Sequence, residues 1–187
     1  MDEFPFGQPV DAVIQMAYFV PDLKTGMEWW TTQLGVGPWF VIDRIGGTDV
    51  RYRGKPSNAE FTIALAYSGH MMIELIQALD DRPSIYKEAH EKRGYGFHHV
   101  AKVVPDLQEA VAAGRALGFT ILHQSPTPGG GEVCFLDGGQ DAPGAIELIA
   151  DVPATRDIFT AVWRASVDWD GSDPYRSFSE ILTAAGS

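Results

Sequence analysis

Four polar residues lie in runs that are otherwise apolar. Glu74 sits in Met72-Ile73-Glu74-Leu75-Ile76, and Glu147 in Ala145-Ile146-Glu147-Leu148-Ile149. An unpaired carboxylate among core residues is costly to bury, so something must compensate it, and a metal ion is one candidate. Gln15 follows Ile14 in Gln15-Met16-Ala17-Tyr18-Phe19, and His99 opens His99-Val100-Ala101-Lys102-Val103. Residues two apart on a strand share a face. Gln15, Ala17 and Phe19 therefore point one way, and His99, Ala101 and Val103 point the equivalent way. One amide oxygen, one imidazole and two carboxylates form a good borderline-to-hard site for a divalent ion. Its remaining coordination positions would go to water or to substrate oxygens.

The elements that carry these residues form a repeat. Val20-Pro21-Asp22-Leu23 recurs as Val104-Pro105-Asp106-Leu107 at an offset of 84, and Leu34-Gly35 recurs as Leu117-Gly118 at an offset of 83. The two Glu-bearing runs are offset by 73, so the second copy has shorter loops. Each unit opens on a run rich in β-branched and aromatic residues, which reads as a strand ended by Pro21 or Pro105. Asp22 and Asp106 are placed to cap the following helix. Leu23, Met27, Trp30 and Leu34 form an apolar helical stripe in the first unit; Leu107, Ala110, Val111, Gly114 and Leu117 do so in the second. Gly35 and Gly118 stand where a helix ends in positive φ. Short extended runs follow at 38–42, 61–67 and 71–77, then at 120–123, 132–136 and 145–149. The unit is β-α-β-β-β, present twice.

This organisation predicts an α+β fold with an N-terminal module over 1–77, a linker over 78–96, a C-terminal module over 97–150 and a helical extension over 151–187. The linker carries a short helix over 83–91, and the extension carries one over 155–165. Trp169, Tyr175 and Phe178 make the rest of the extension too aromatic for a disordered tail, so it packs back on the domain near the mouth of the site. If the modules pair about a pseudo-twofold axis, Gln15, Glu74, His99 and Glu147 converge on one cavity.

The chain has 187 residues, 45% of them hydrophobic, enough to bury a sizeable core. Its 14 basic and 25 acidic residues give a net charge of −11, a field that repels phosphate backbones and anionic membranes. Nucleic-acid and membrane partners are not expected, and no apolar run is long enough to span a bilayer. The start Met1-Asp2-Glu3-Phe4-Pro5 has no signal-peptide pattern, and Cys134 is the single cysteine. The expected address is the cytoplasm.

On these residues the chain resembles the vicinal oxygen chelate superfamily, also called the glyoxalase, bleomycin-resistance and dioxygenase superfamily. The segments over 13–39, 72–77, 96–119 and 144–149 carry the likeness. The resemblance implies two tandem βαβββ modules forming an open, cup-shaped β-sheet around one divalent metal ion (Zn, Ni, Co or Mn). Gly96-Phe97-His98-His99-Val100 is similar to a stretch of the epimerase-like members in which the second His is the ligand, which selects His99 over His98. Gln15, Glu74, His99 and Glu147 fall, in that order, on the Gln, Glu, His, Glu ligand set of eukaryotic-type glyoxalase I. Phe19 stands where glyoxalase I carries an arginine, so glutathione is not the expected substrate.

The implied activity is that of a metal-dependent isomerase, epimerase or lyase. Such an enzyme chelates vicinal oxygens of a small metabolite and moves a proton through an enediolate or enolate. Glu147 is the expected metal-bound base, with Glu74 as second base or pure ligand. Phe19, Trp39, Tyr67, Phe97 and His98 are the expected substrate-binding residues. Arg51, Arg53 and Lys55 could hold an anionic group. A homodimer is the oligomer that the resemblance implies. Two alternatives share the scaffold: a metal-free protein that sequesters a small ligand, and an iron-dependent ring-cleaving dioxygenase, which Gln15 disfavours.

Overall fold

A computed structural model describes residues 2–47, 49–128, 130–139 and 141–185. The first module runs β1 (Val13–Phe19), α1 (Leu23–Leu34), β2 (Trp39–Ile45), β3 (Arg51–Tyr52), β4 (Lys55–Pro56), β5 (Phe61–Ser68) and β6 (Met71–Ala78). The linker holds α2 (Ile85–Arg93). The second module runs β7 (Gly96–Val104), α3 (Leu107–Ala116), β8 (Thr120–Pro126), β9 (Glu132–Asp137) and β10 (Ala145–Ala150). The extension forms α4 (Pro153–Ser166), β11 (Tyr175–Ser177) and α5 (Phe178–Ala185).

Local chemistry fixes the ends of the helices. Asp22 accepts from the Thr25 N–H at 2.8 Å, and Asp106 from the Glu109 N–H at 2.9 Å. Each is a helix N-cap, worth about 1 kcal/mol. Gly35 ends α1 at φ 66°, and its N–H returns to the Thr31 and Trp30 carbonyls. Leu34 and Leu117, the last members of the two stripes, are exposed, because the buried face ends before the apolar pattern does.

The strands form one open sheet in the order β11-β2-β5-β6-β1-β7-β10-β9-β8-β3-β4. β1 and β7 pair antiparallel at its centre, and each is flanked by the closing strand of its own module in parallel, β6 beside β1 and β10 beside β7. That is the pseudo-twofold arrangement the repeat predicts. It brings the four polar runs onto four adjacent strands. β3 and β4 add an irregularity the repeat lacks: this hairpin leaves the first module and pairs with β8 of the second.

Period-two alternation sorts the side chains into layers. On one face Leu23 and Met27 of α1 pack with Trp39, Ala64, Ala66, Ile73 and Leu75. Val111 of α3 packs on the same face with Cys134, Leu136 and Leu148. Gly114 lets α3 lie close, since a Cβ there would stand 2.5 Å from Leu136 Cδ1. The opposite, concave face carries the largest core. Phe61, Ile63, Leu65, Met72, Ile76, Val133, Phe135 and Ile149 meet Phe4 and Phe6 of the N-terminal arm, Ile85 and Tyr86 of α2, and Ile158, Phe159, Val162, Phe178 and Ile181 of the extension. The extension therefore packs back over the cup.

Candidate metal centre

Gln15, Glu74, His99 and Glu147 meet on the concave face, each less than 9% exposed. The register explains why. Ala17 pairs with Glu74 in the first module and Ala101 with Glu147 in the second, so the two carboxylates are equivalent under the repeat. His99 Nε2 lies 3.0 Å from Glu147 Oε2 and 3.3 Å from Glu74 Oε2. Gln15 Nε2 donates to Glu74 Oε2 at 2.6 Å. Glu147 has no such amide partner among the described residues; its hydrogen bond is to His99.

The charges are strongly coupled. Burial raises the pKa of Glu74; His99 and the Gln15 amide oppose the rise and the Glu147 charge adds to it. Burial disfavours a charged His99, but hydrogen bonds and charge attraction from Glu147 and Glu74 outweigh that and lift its pKa to about 9. Without a cation, a proton on His99 Nε2 balances part of the acidic charge. The donor set fits a metal ion in that proton's place. One ligating atom from each of Glu74, His99 and Glu147 lies within 4.8 Å of the others. Bonds of about 2.1 Å to one ion put neighbouring donor atoms about 3.0–3.4 Å apart, and the two contacts of His99 Nε2 are 3.0 and 3.3 Å. Gln15 would turn its amide about to offer Oε1 instead of Nε2.

A cavity of ≈110 Å³ opens onto Gln15, Glu74 and Glu147. Its walls are aliphatic side chains of the sheet, Ile42, Ile63, Leu65, Val133 and Ile149, roofed by Thr155, Ile158, Phe159 and Phe178 of the extension. In the sequence most of these wall residues sit in runs that are apolar on both faces, so the register and not the pattern marks them. The roof had only the amphipathic spacing of α4 and the aromatic content of the tail as its signal. A second, larger cleft of ≈610 Å³ lies between α2 and the β9–β10 connection, with His98, Leu122, Lys92 and Arg93 among its lining residues.

Of the expected substrate-binding residues, His98 lines that cleft and the four aromatics line neither cavity. Phe19 is on the concave face but packs beneath α2 against Tyr86 and Tyr95. Trp39 lies under α1 on the other face, where its indole N–H donates to Thr31 Oγ1 at 3.0 Å. Tyr67 packs against Phe6 at the end of β5 and lines a separate pocket with Trp163 and Trp169. Phe97 faces Tyr18, because the chain shifts register beside it. Residue type alone does not decide what lines a cavity; the face and the position along each strand do. Arg53 is likewise committed: it pairs with Glu88 at 2.6 Å, and Glu88 also accepts from Tyr52 and Lys92. Arg51 and Lys55 are exposed on the same hairpin.

The profile of the Glyoxalase/Bleomycin resistance protein/Dioxygenase superfamily matches residues 14–135. No curated protein sequence matches the chain. Among solved structures, methylmalonyl-CoA epimerase from Mycobacterium tuberculosis is similar at 20% identity and a TM-score of 0.56, over 78% of this chain and 91% of its own. A hypothetical protein from Bacillus halodurans C-125 is similar at 19% identity and a TM-score of 0.55, over 75% of this chain and 94% of its own. The Streptomyces coelicolor methylmalonyl-CoA epimerase bound to 2-nitronate-propionyl-CoA has 16% identity and a TM-score of 0.55, covering 76% and 96%. The shared fold accounts for nearly all of each neighbour and leaves part of this chain outside it. With its duplicated module and a family match over more than half its length, this chain belongs to the glyoxalase, bleomycin-resistance and dioxygenase superfamily.

Proposed function

We propose that this protein is a metal-dependent isomerase, epimerase or lyase that moves a proton on a small oxygenated metabolite. The supporting observation is the meeting of two buried carboxylates, one from each module, at a single imidazole nitrogen. Gln15, Glu74, His99 and Glu147 would hold one divalent ion. When bound, the ion supplies a Lewis acid that polarises neighbouring substrate oxygens and stabilises the negative charge developing beside them.

The chain's own residues divide the rest of the work. Glu74 is held by the Gln15 amide, so it suits a fixed ligand. Glu147 lacks that restraint and is the better base for taking a proton from the carbon next to the chelated oxygens. The two carboxylates come from equivalent strands of opposite modules, and both line the cavity. Glu147 alone can move a proton between neighbouring carbons; epimerisation would need Glu74 to leave the Gln15 amide and act as the second base. The aliphatic walls exclude water and strengthen every charge interaction inside them.

The test joins elemental analysis with hydrogen exchange. Purified protein should carry one equivalent of a divalent transition metal. In D2O it should exchange the α-hydrogen of an acyl-thioester probe such as methylmalonyl-CoA, the compound for which the solved neighbours are named. Chelation should stop the exchange and added metal should restore it. Metal-free protein that is stabilised by small apolar ligands would instead support sequestration; iron with oxygen uptake would support ring cleavage.

A further inference from the structure

Neighbours on a strand point to opposite faces, yet His98 and His99 are both buried on the concave side. The cause is a bulge. Ala17 pairs with His99 and the next residue, Tyr18, pairs with Phe97, so His98 is the extra residue between them. The two rings stand nearly perpendicular, at 83°. His98 is covered by Tyr86, and His99 rests on Phe135.

The bulge brings His98 Nδ1 to 2.8 Å from His99 Nδ1. At that distance one nitrogen carries a hydrogen and the other accepts it. His99 Nε2 is the nitrogen that faces Glu74 and Glu147. A neutral ring that gives its Nε2 lone pair to an ion held there carries its hydrogen on Nδ1. His99 then donates that Nδ1–H, and His98 Nδ1 accepts it.

We infer that His98 is a positioning residue for the metal centre: it accepts the Nδ1–H of His99 and so fixes that ligand's tautomer and ring orientation. This rests on the metal-centre reading above. Among the described residues, His99 Nδ1 has no other partner. Acceptors of this kind typically change metal affinity by about 10- to 100-fold.

The experiment titrates Co2+ and Zn2+ into chelated full-length protein, as wild type, His98→Phe and His98→Asn. Phenylalanine keeps the ring's bulk without an acceptor; asparagine keeps an acceptor. Expected are a one-to-one wild-type site, a loss of about 10- to 100-fold in affinity for His98→Phe, and a loss within about threefold for His98→Asn. If either variant fails to fold, 15N NMR of zinc-loaded wild type decides: His99 should show a protonated Nδ1 and a metal-bound Nε2. Wild type that binds one metal, beside His98→Phe of equal affinity or with His99 bound through Nδ1, overturns the inference alone. Wild type that takes up neither ion overturns the centre and the inference together.

Discussion

In the presence of a chelator, raising the pH should weaken this fold in a narrow window, and the cause is His99. The buried ring has its pKa raised from 6.5 to about 9 by Glu147 and Glu74 against the opposing effect of burial. A folded-state pKa above the unfolded one gives stability that is fully present below pH 6.5 and lost as pH rises through 9. At about 1.4 kcal/mol per pH unit, the difference amounts to about 3 kcal/mol, most of it gone by pH 9. Glu74, whose pKa is raised chiefly by burial, works in the same direction at its own titration. Cys134, pushed up to about 11 by burial, titrates above the window.

The assay is urea unfolding in chelator from pH 6.5 to 9, for wild type and His99→Gln. Wild type should lose about 2–3 kcal/mol across the window, and the variant should lose much less. Metal binding should show the opposite trend. The ion replaces the Nε2 proton, so apparent affinity should rise about fifty-fold from pH 7 to 9 as that proton becomes easier to remove. A metal-free protein equally stable at pH 6.5 and 9, or a metal affinity unchanged over that range, would refute the coupling of His99 to the two carboxylates.

Three further outcomes follow from the same geometry. Glu147→Gln should keep a cooperative unfolding transition and lose at least about a thousandfold in metal-dependent α-hydrogen exchange, read by NMR in D2O; retained exchange removes Glu147 as the base. Phe178→Ala opens the roof of the cavity and deletes a ring that is only 6% exposed, so it should cost about 3–5 kcal/mol in urea unfolding. Asp106→Ala removes the α3 cap and should cost about 1 kcal/mol, or about 2–4 °C in Tm by calorimetry.

Much of this architecture is readable along the chain because a duplication states each element twice. Asp22 and Asp106 announce helices through side chains that must satisfy nearby N–H groups, and both caps are present. β5, β6, β9 and β10 read as strands because their runs are short, apolar and bounded by turns, and they are largely buried on both faces. Glu74 and Glu147 stand out because a carboxylate in an apolar strand needs a partner. These are local rules, and they need only neighbours in sequence.

Other features depend on packing between distant segments. Which aromatics reach the carboxylate cavity was one: Trp39 and Phe97 lie on the other face, Phe19 packs beneath α2, and Tyr67 lines a separate pocket. The bulge that turns His98 toward His99 was another, since its extra residue is defined only by the pairing of β7 with β1. The roof over the carboxylates was a third, because the repeat ends before Ile158, Phe159 and Phe178. The amino-acid sequence by itself determined the two modules, their caps and the four polar positions, through periodicity and the cost of burying charge. Tertiary structure alone decided how the modules face each other, which ring steadies His99 and what closes the cup, because those depend on register and contact between residues remote in the chain.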